Sequence, residues 1–307
     1  MRIALDKTDL QVHPLCLGGN VFGWSADTEQ SNAVLNEYEA AGGNFIDTAD
    51  MYSQWHDGNV GGESETIIGE WMKSRGNRAD IVIATKVAKL PTRPGLAATN
   101  IASAAEDSLR RLGTDYIDIY YAHHDDEAVP LEESLTAFQK LITDGKVKYI
   151  AASNYSTERL AQALKVSREL GISEYVLLQP HYNAIVRDEY EGDLMALAVK
   201  EGISVLPYFA LATGFLTGKY QPGVNVTSVR ADGMQEYMND RGWAILQALT
   251  DIAATHNAPI AAIALAWLRA QPGIATPIAS ARTPEQLAQI LPIIELSTDQ
   301  IAQVNAL

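Results

Sequence analysis

Residues 116–154, YIDIYYAHHDDEAVPLEESLTAFQKLITDGKVKYIAASN, decide how the chain is read. They open on a run of β-branched and aromatic residues and close on a second run, YIAASN, and both are apolar with little alternation. Strands of that kind are covered on both faces, which is the condition of a parallel sheet. Between the runs, Leu131, Leu135, Phe138 and Ile142 recur at helical spacing and make one apolar stripe. The stretch therefore reads as strand, amphipathic helix, strand.

The same unit repeats outward in both directions. PLCLG (14–18), NFIDTA (44–49) and IVIATKV (81–87) precede it, and YVLLQPHY (175–182), SVLPYF (204–209) and ATPIAS (275–280) follow, eight apolar runs in all. Helical patterns fill the intervals, over Glu29 to Ala41, from Glu63, up to Leu112 and from Thr157. Asp27 and Ser156 are suited to N-caps, and Gly42, Gly113, Gly171 and Gly202 stand where a helix must turn left-handed to end. Eight strand-helix units predict a closed (β/α)8 TIM barrel, a single domain over residues 1–307, with an N-terminal β-hairpin capping the barrel bottom. A doubly wound open sheet is the competing architecture. Two stretches break the rhythm, Ser53 to Gly62 and Gly214 to Arg241, and read as loops on the face where a barrel binds ligands.

Composition narrows the partners. A formal charge of −15 with no basic run disfavours nucleic acid and acidic membrane surfaces. The longest apolar stretch, near Ile260 to Leu268, falls well short of the roughly 20 residues that span a bilayer. MRIALDKTDL carries charges where a secretory signal needs an apolar core, and Cys16 is the only cysteine, so a reducing cytoplasmic setting is expected. An anionic ligand would need cations placed at its own site.

Polar residues gather at the C-terminal ends of the runs: Asp47, Lys86, His123, Ser153 with Asn154, Gln179 and Tyr208. In a barrel these positions converge on the pocket mouth. An isolated lysine at the end of a buried strand is costly, and Asp47 is its natural counter-ion. Tyr52 stands five residues after Asp47, and an ammonium beside a phenol favours the phenolate, so the pKa of Tyr52 is expected to fall toward neutrality. Such a set suits the protonation of a carbonyl oxygen. Taken singly, each member has an ordinary reading: a structural ion pair, a packed tyrosine, a core histidine.

With these residues in view, the chain resembles the aldo-keto reductase superfamily over nearly its whole length. GGNFIDTADMY (42–52) matches the family motif, Lys86 in IATKV matches its lysine, and His123 in DIYYAH matches its histidine. The resemblance implies reduction of a small-molecule carbonyl substrate by hydride from NADPH, with Tyr52 as general acid, Lys86 and Asp47 tuning it, and His123 orienting the carbonyl. It also implies a nicotinamide site made by Ser153, Asn154, Gln179 and the ring of Tyr208, with Gly19, Asn20, Asp47, Ala210 and Leu211 beside the NADPH/NADP+ cofactor. GFLTGKY would bring Gly214, Leu216 and Lys219 to the pyrophosphate, largely through backbone groups, and PIASARTPEQL would bring Arg282, assisted by Ser280, to the adenosine 2′-phosphate and Gln286 near the adenosine.

The chain departs from the family pattern in places. Ser280 replaces a frequent glycine, Ile290 an asparagine, and Phe-Ala follows Tyr208 in place of Ser-Pro, while the long tail that shapes the pocket in some relatives is not expected here. Other readings compete. His123, His124, Asp125 and Asp126 invite a metal, but adjacent strand residues point opposite ways and no metal is expected. Lys86 could be a Schiff-base nucleophile. Because the superfamily includes channel-associated β-subunits, an NADP(H)-binding sensor or regulatory subunit is a further alternative.

Overall fold

A computed structural model describes residues 1–220 and 231–307. An antiparallel hairpin comes first, β1 (Ile3–Ala4) paired with β2 (Gln11–Val12). The apolar runs then form eight parallel strands: β3 (Cys16–Gly18), β4 (Phe45–Asp47), β5 (Val82–Val87), β6 (Ile117–Ala122), β7 (Val147–Ser153), β8 (Leu177–Gln179), β9 (Ser204–Val205) and β10 (Ile278–Ala279). They lie in chain order except that β10 pairs with β3. The last seam is closed by the backbone: Ile278 donates to the Pro207 carbonyl at 2.9 Å, and Val205 exchanges bonds with Gly273 and Ala275 at 3.0 and 2.9 Å. The architecture is a (β/α)8 barrel, and the open sheet is excluded.

Helices α1 (Thr28–Ala40), α2 (Glu63–Arg75), α3 (Ala98–Leu112), α4 (Leu131–Thr143), α5 (Thr157–Leu170) and α6 (Asp193–Glu201) alternate with the strands. α7 (Asp240–His256) and α8 (Ile260–Arg269) both precede β10, and α9 (Pro284–Ile290) and α10 (Thr298–Asn305) follow it. Helix ends fall where the sequence places them. Asp27 forms a reciprocal capping box with Gln30, Ser156 accepts from Arg159 N, and Gly113, Gly171 and Gly202 close their helices in the left-handed region. Gly42 follows the last residues of α1 at φ +86°. Residues 53–62 hold no regular element. In the second expected loop, Ala212–Thr217 and Ala231–Tyr237 are short 3-10 turns, α7 begins at Asp240, and residues 221–230 lie outside the described residues.

Apolar burial is divided by the sheet into two shells. Outside it, the stripe of α4, with Leu131, Leu135 and Phe138 buried, packs with its neighbours in a continuous core. Inside it, Phe45, Val82, Ile119, Val176 and Leu177 pack with Leu5, Leu10 and Val12 of the hairpin segment. The hairpin thus seals the N-terminal ends of the strands, and Asp6 N bonds Ser204 Oγ at 2.8 Å to hold it there. Opposite it, the C-terminal ends of the strands stay open for function.

One buried polar cluster sits between the barrel and α2 and α3. Glu65 accepts from Thr85 Oγ1 at 2.5 Å and from Arg111 Nε at 2.6 Å, and none of its side chain is exposed. Asp50 is fully buried near it, and neither of its carboxylate oxygens accepts a hydrogen bond from a described residue. Burial, reinforced by the charge of Glu65 and opposed by Arg111 and Arg93, pushes the Asp50 carboxyl up to about 7. An unfolded aspartate ionises near 3.9, so between about pH 4 and pH 7 the native state holds a proton that the unfolded chain has lost. Stability falls as pH rises through that window and levels off above it. Asp50→Asn should therefore stabilise the protein by about 1–3 kcal/mol at pH 8 and by less at pH 5, measured by urea unfolding at both values. An equal effect at both would show that Asp50 is ionised in the native state throughout.

Candidate active site

The strand register assembles the site. Asp47 ends β4 and Lys86 lies near the end of β5, with Asp47 opposite Ala84 and Lys86 opposite Tyr121 across the next ladder. On a parallel pair, residues two apart face the same way, so both side chains enter the barrel mouth. Lys86 has no solvent exposure. Its Nζ donates to Asp47 Oδ2 at 2.6 Å, to the Thr48 carbonyl at 2.7 Å and to the Tyr52 hydroxyl at 2.8 Å, which satisfies all three of its protons. Tyr52 is carried by the turn after β4, its backbone N–H bonded to Ala49 O. Its hydroxyl donates to Asp47 Oδ2 over a longer 3.3 Å, leaving that proton the most weakly held in the cluster.

His123 follows β6 and is buried against the cavity, its ring 6.1 Å from that of Tyr52, while His124 is exposed. Burial first, then the charges of Lys86 and Lys89, hold the imidazole well below its usual pKa, so it is neutral at neutral pH. The phenol departs from the sequence-based expectation. Burial and the adjacent Asp47 carboxylate push Tyr52 well above the ordinary phenol range, although Lys86 touches its oxygen. Sequence spacing identifies the neighbouring charges but not the desolvation, which is the larger effect here. The Lys86 ammonium is pulled down by the same burial and held up by Asp47. The group is thus a protonated phenol, not a phenolate.

Asp47, Tyr52 and His123 line a cavity of about 600 Å³. Its wall continues over Ser153, Asn154, Gln179 and Tyr208 at the ends of β7, β8 and β9. They are tied together: Gln179 Nε2 donates to Asp47 Oδ1 at 2.8 Å, Asn154 Nδ2 to Ser153 Oγ at 3.0 Å, and the Tyr208 hydroxyl to Asn154 Oδ1 at 2.8 Å. Asn20, Ala210, Leu211, Gly214 and Lys219 face the same space, as do Ser280, Arg282 and Gln286 at the start of α9. Two candidates are not on the wall itself. The Leu216 side chain is fully buried in the apolar core, which leaves its expected backbone contact untouched, and Gly19 turns its N–H to the Asp47 carbonyl at 2.7 Å while Gly18 faces the cavity. A Cβ on Gly18 would stand 2.5 Å from Ser280 Oγ, so the wall there is open only because the side chain is absent.

Two wall residues, Trp24 and Lys89, went unmarked in the sequence. Trp24 meets Trp55, from the first expected loop, edge to face with centroids 5.7 Å apart, and Trp55 lies 6.2 Å from the ring of Tyr52. Lys89 lines the wall three residues past Lys86. Trp24 follows the first strand and Lys89 the third, and position after a strand was the signal that could have found both. Backbone strain marks the same face: Ser53, Ala88, Asn154, Phe209, Ala212 and Thr213 all have positive φ without being glycine. Each such conformation costs on the order of 1–3 kcal/mol and persists where the surroundings impose it. Of the metal candidates, Asp125 is paired with Arg159 at 2.6 Å and Asp126 binds Leu96 N at 2.8 Å. Among the described residues no three metal-ligating side chains gather.

Comparison with known proteins agrees with this geometry. The family model described as "Aldo/keto reductase family" matches residues 14–307. The chain is 33% identical to a putative voltage-gated potassium channel subunit beta of Schizosaccharomyces pombe, covering 95% of this chain and 87% of the relative. It is 32% identical to the uncharacterized oxidoreductase YrpG of Bacillus subtilis, over 96% of this chain and 91% of that one. Norsolorinic acid reductase B of Aspergillus parasiticus is 31% identical, over 97% and 80%. With a barrel closed by eight parallel strands, a buried lysine shared by a tyrosine and an aspartate, and a family match that runs from the first barrel strand to the last residue, the chain belongs to the aldo/keto reductase family.

Proposed function

We propose that this chain is an oxidoreductase that reduces an aldehyde or ketone to an alcohol with NADPH, in a single domain spanning residues 1–307 and working in the cytoplasm. The observation that carries the reading is the Lys86 ammonium bonded at once to Tyr52 and Asp47, both of which line a cavity of about 600 Å³. The cavity fits a dinucleotide in its chemistry: the amide and hydroxyl groups of its lining suit a neutral carboxamide, and Lys219 and Arg282 suit phosphate. A nicotinamide held by Ser153, Asn154 and Gln179 would supply the hydride.

The protein's own groups supply the proton. Tyr52 keeps its hydroxyl protonated, and a carbonyl oxygen in the cavity offers that proton a better acceptor than the 3.3 Å contact to Asp47. Once the proton has moved, Lys86 Nζ, 2.8 Å from the phenol oxygen, stabilises the phenolate without having to move. Asp47 keeps Lys86 charged, and Gln179 holds the other Asp47 oxygen in place. His123, neutral and against the same cavity, orients the carbonyl by a hydrogen bond. A Schiff base at Lys86 is disfavoured, because its three protons are bound and its amine is withdrawn behind Tyr52.

Relatives named as potassium channel β-subunits favour a second reading, an NADP(H)-binding regulatory subunit with little turnover. A panel of aldehydes followed by NADPH absorbance separates the two. Under the reductase reading, Tyr52→Phe should lower kcat by at least about a hundredfold while NADPH binding, followed by fluorescence, stays within a few-fold. A variant at full rate would remove Tyr52 as the acid. Arg282→Ala should weaken NADPH binding by about tenfold or more and leave NADH binding nearly unchanged. Equal losses for both cofactors would place Arg282 away from the 2′-phosphate.

A further inference from the structure

The charged side chains on the described cavity wall are Asp47, Lys89, Lys219 and Arg282. Asp47 is matched by Lys86, so the free charge of the wall is positive in a chain whose net charge is −15. Lys219 and Arg282 follow β9 and β10, on the side that suits the phosphates of a dinucleotide. Lys89 is elsewhere. It follows β5, between the turn that carries Tyr52 and Trp55 and the end of β6 that carries His123, so it belongs to the end of the cavity where the carbonyl is reduced.

Three features suit Lys89 to recognising a ligand. Its side chain is exposed and lines the cavity, and no salt bridge among the described residues includes it. The residue before it, Ala88, is buried at φ +107° with its carbonyl bound by Gly95 N at 2.9 Å, so the backbone leading into Lys89 is held by its surroundings. Its charge also reaches the reacting end, since it is among the groups that depress His123. The same cavity wall carries the edge-to-face rings of Trp24 and Trp55. A cation next to an aromatic wall binds an anion carried on a flat apolar frame, and low-dielectric walls strengthen the attraction.

We propose that Lys89 is a specificity-determining residue that selects carbonyl substrates bearing a carboxylate, held so that the carboxylate meets Lys89 while the carbonyl meets Tyr52 and His123. The proposal rests on the reductase reading of the same site and deepens it.

The test compares kcat/KM for 4-carboxybenzaldehyde, benzaldehyde and 4-(trimethylammonio)benzaldehyde in the wild type, Lys89→Met and Lys89→Glu. The ratio of carboxylated to neutral substrate should fall about fivefold or more in Lys89→Met, through KM, and Lys89→Glu should turn the preference toward the cationic aldehyde. A general structural defect would lower all three substrates together and would not reverse a preference. Ratios that stay constant across the three proteins while benzaldehyde is reduced would overturn the role of Lys89 and leave the reductase reading standing. If the wild type reduces none of the aldehydes, the reductase reading falls, and quenching of tryptophan fluorescence by benzoate decides the rest. Weaker benzoate binding in Lys89→Met supports a carboxylate site at Lys89, and equal binding refutes it.

Discussion

A lysine ammonium with no exposure to water must find an acceptor for every proton it carries, and most of what is functional in this barrel follows from how Lys86 does so. Its acceptors are a carboxylate, a backbone carbonyl and a phenol, all from β4 or the turn after it, while the lysine comes from β5. The ladder between these strands therefore sets the register of the fold and the geometry of the site together. Removing one partner would leave a buried charge unmatched, a defect worth several kcal/mol by general experience with buried pairs. The position of the Tyr52 oxygen is thus fixed by folding, before any ligand arrives.

Around that fixed point the protein concentrates its unfavourable features on one face. The non-glycine residues with positive φ lie mostly in the turns after strands, and those turns make the cavity wall. Surplus cations collect there too, although acidic residues outnumber basic ones 38 to 23 in the chain. The opposite face is closed by apolar packing of the hairpin segment against the strand starts. Stability is gathered at one end of the cylinder, and local strain is tolerated at the other.

The fold was legible because its signals are periodic. Continuous apolar runs, a helical stripe such as that of α4, and glycines at helix ends each report local geometry that the sequence states directly. Asp47, Lys86 and His123 were legible for a related reason, since a polar side chain at the end of an apolar strand is conspicuous. What the sequence could not state was environment. It named the ammonium beside Tyr52 but not the burial that outweighs it, so the direction of the phenol's shift was misread. It also passed over Trp24 and Lys89, because a tryptophan or lysine in a loop is unremarkable until neighbouring strands bring it to a shared wall. Gly19 shows the converse: a residue next to a motif in sequence can spend its backbone N–H inside the fold, while its neighbour Gly18 lines the cavity.

The pairing of β3 with β10 joins Cys16 to Ile278 across nearly the length of the polypeptide. A ribosome delivers the first of these long before the second, so during synthesis β3 waits with one edge unsatisfied, as any unfinished sheet does. Contacts this distant in sequence form late and slow folding, and the cylinder cannot shut until its final staves have emerged. The nascent protein is thus most vulnerable to association with other chains during the interval in which its first barrel strand lacks its last neighbour.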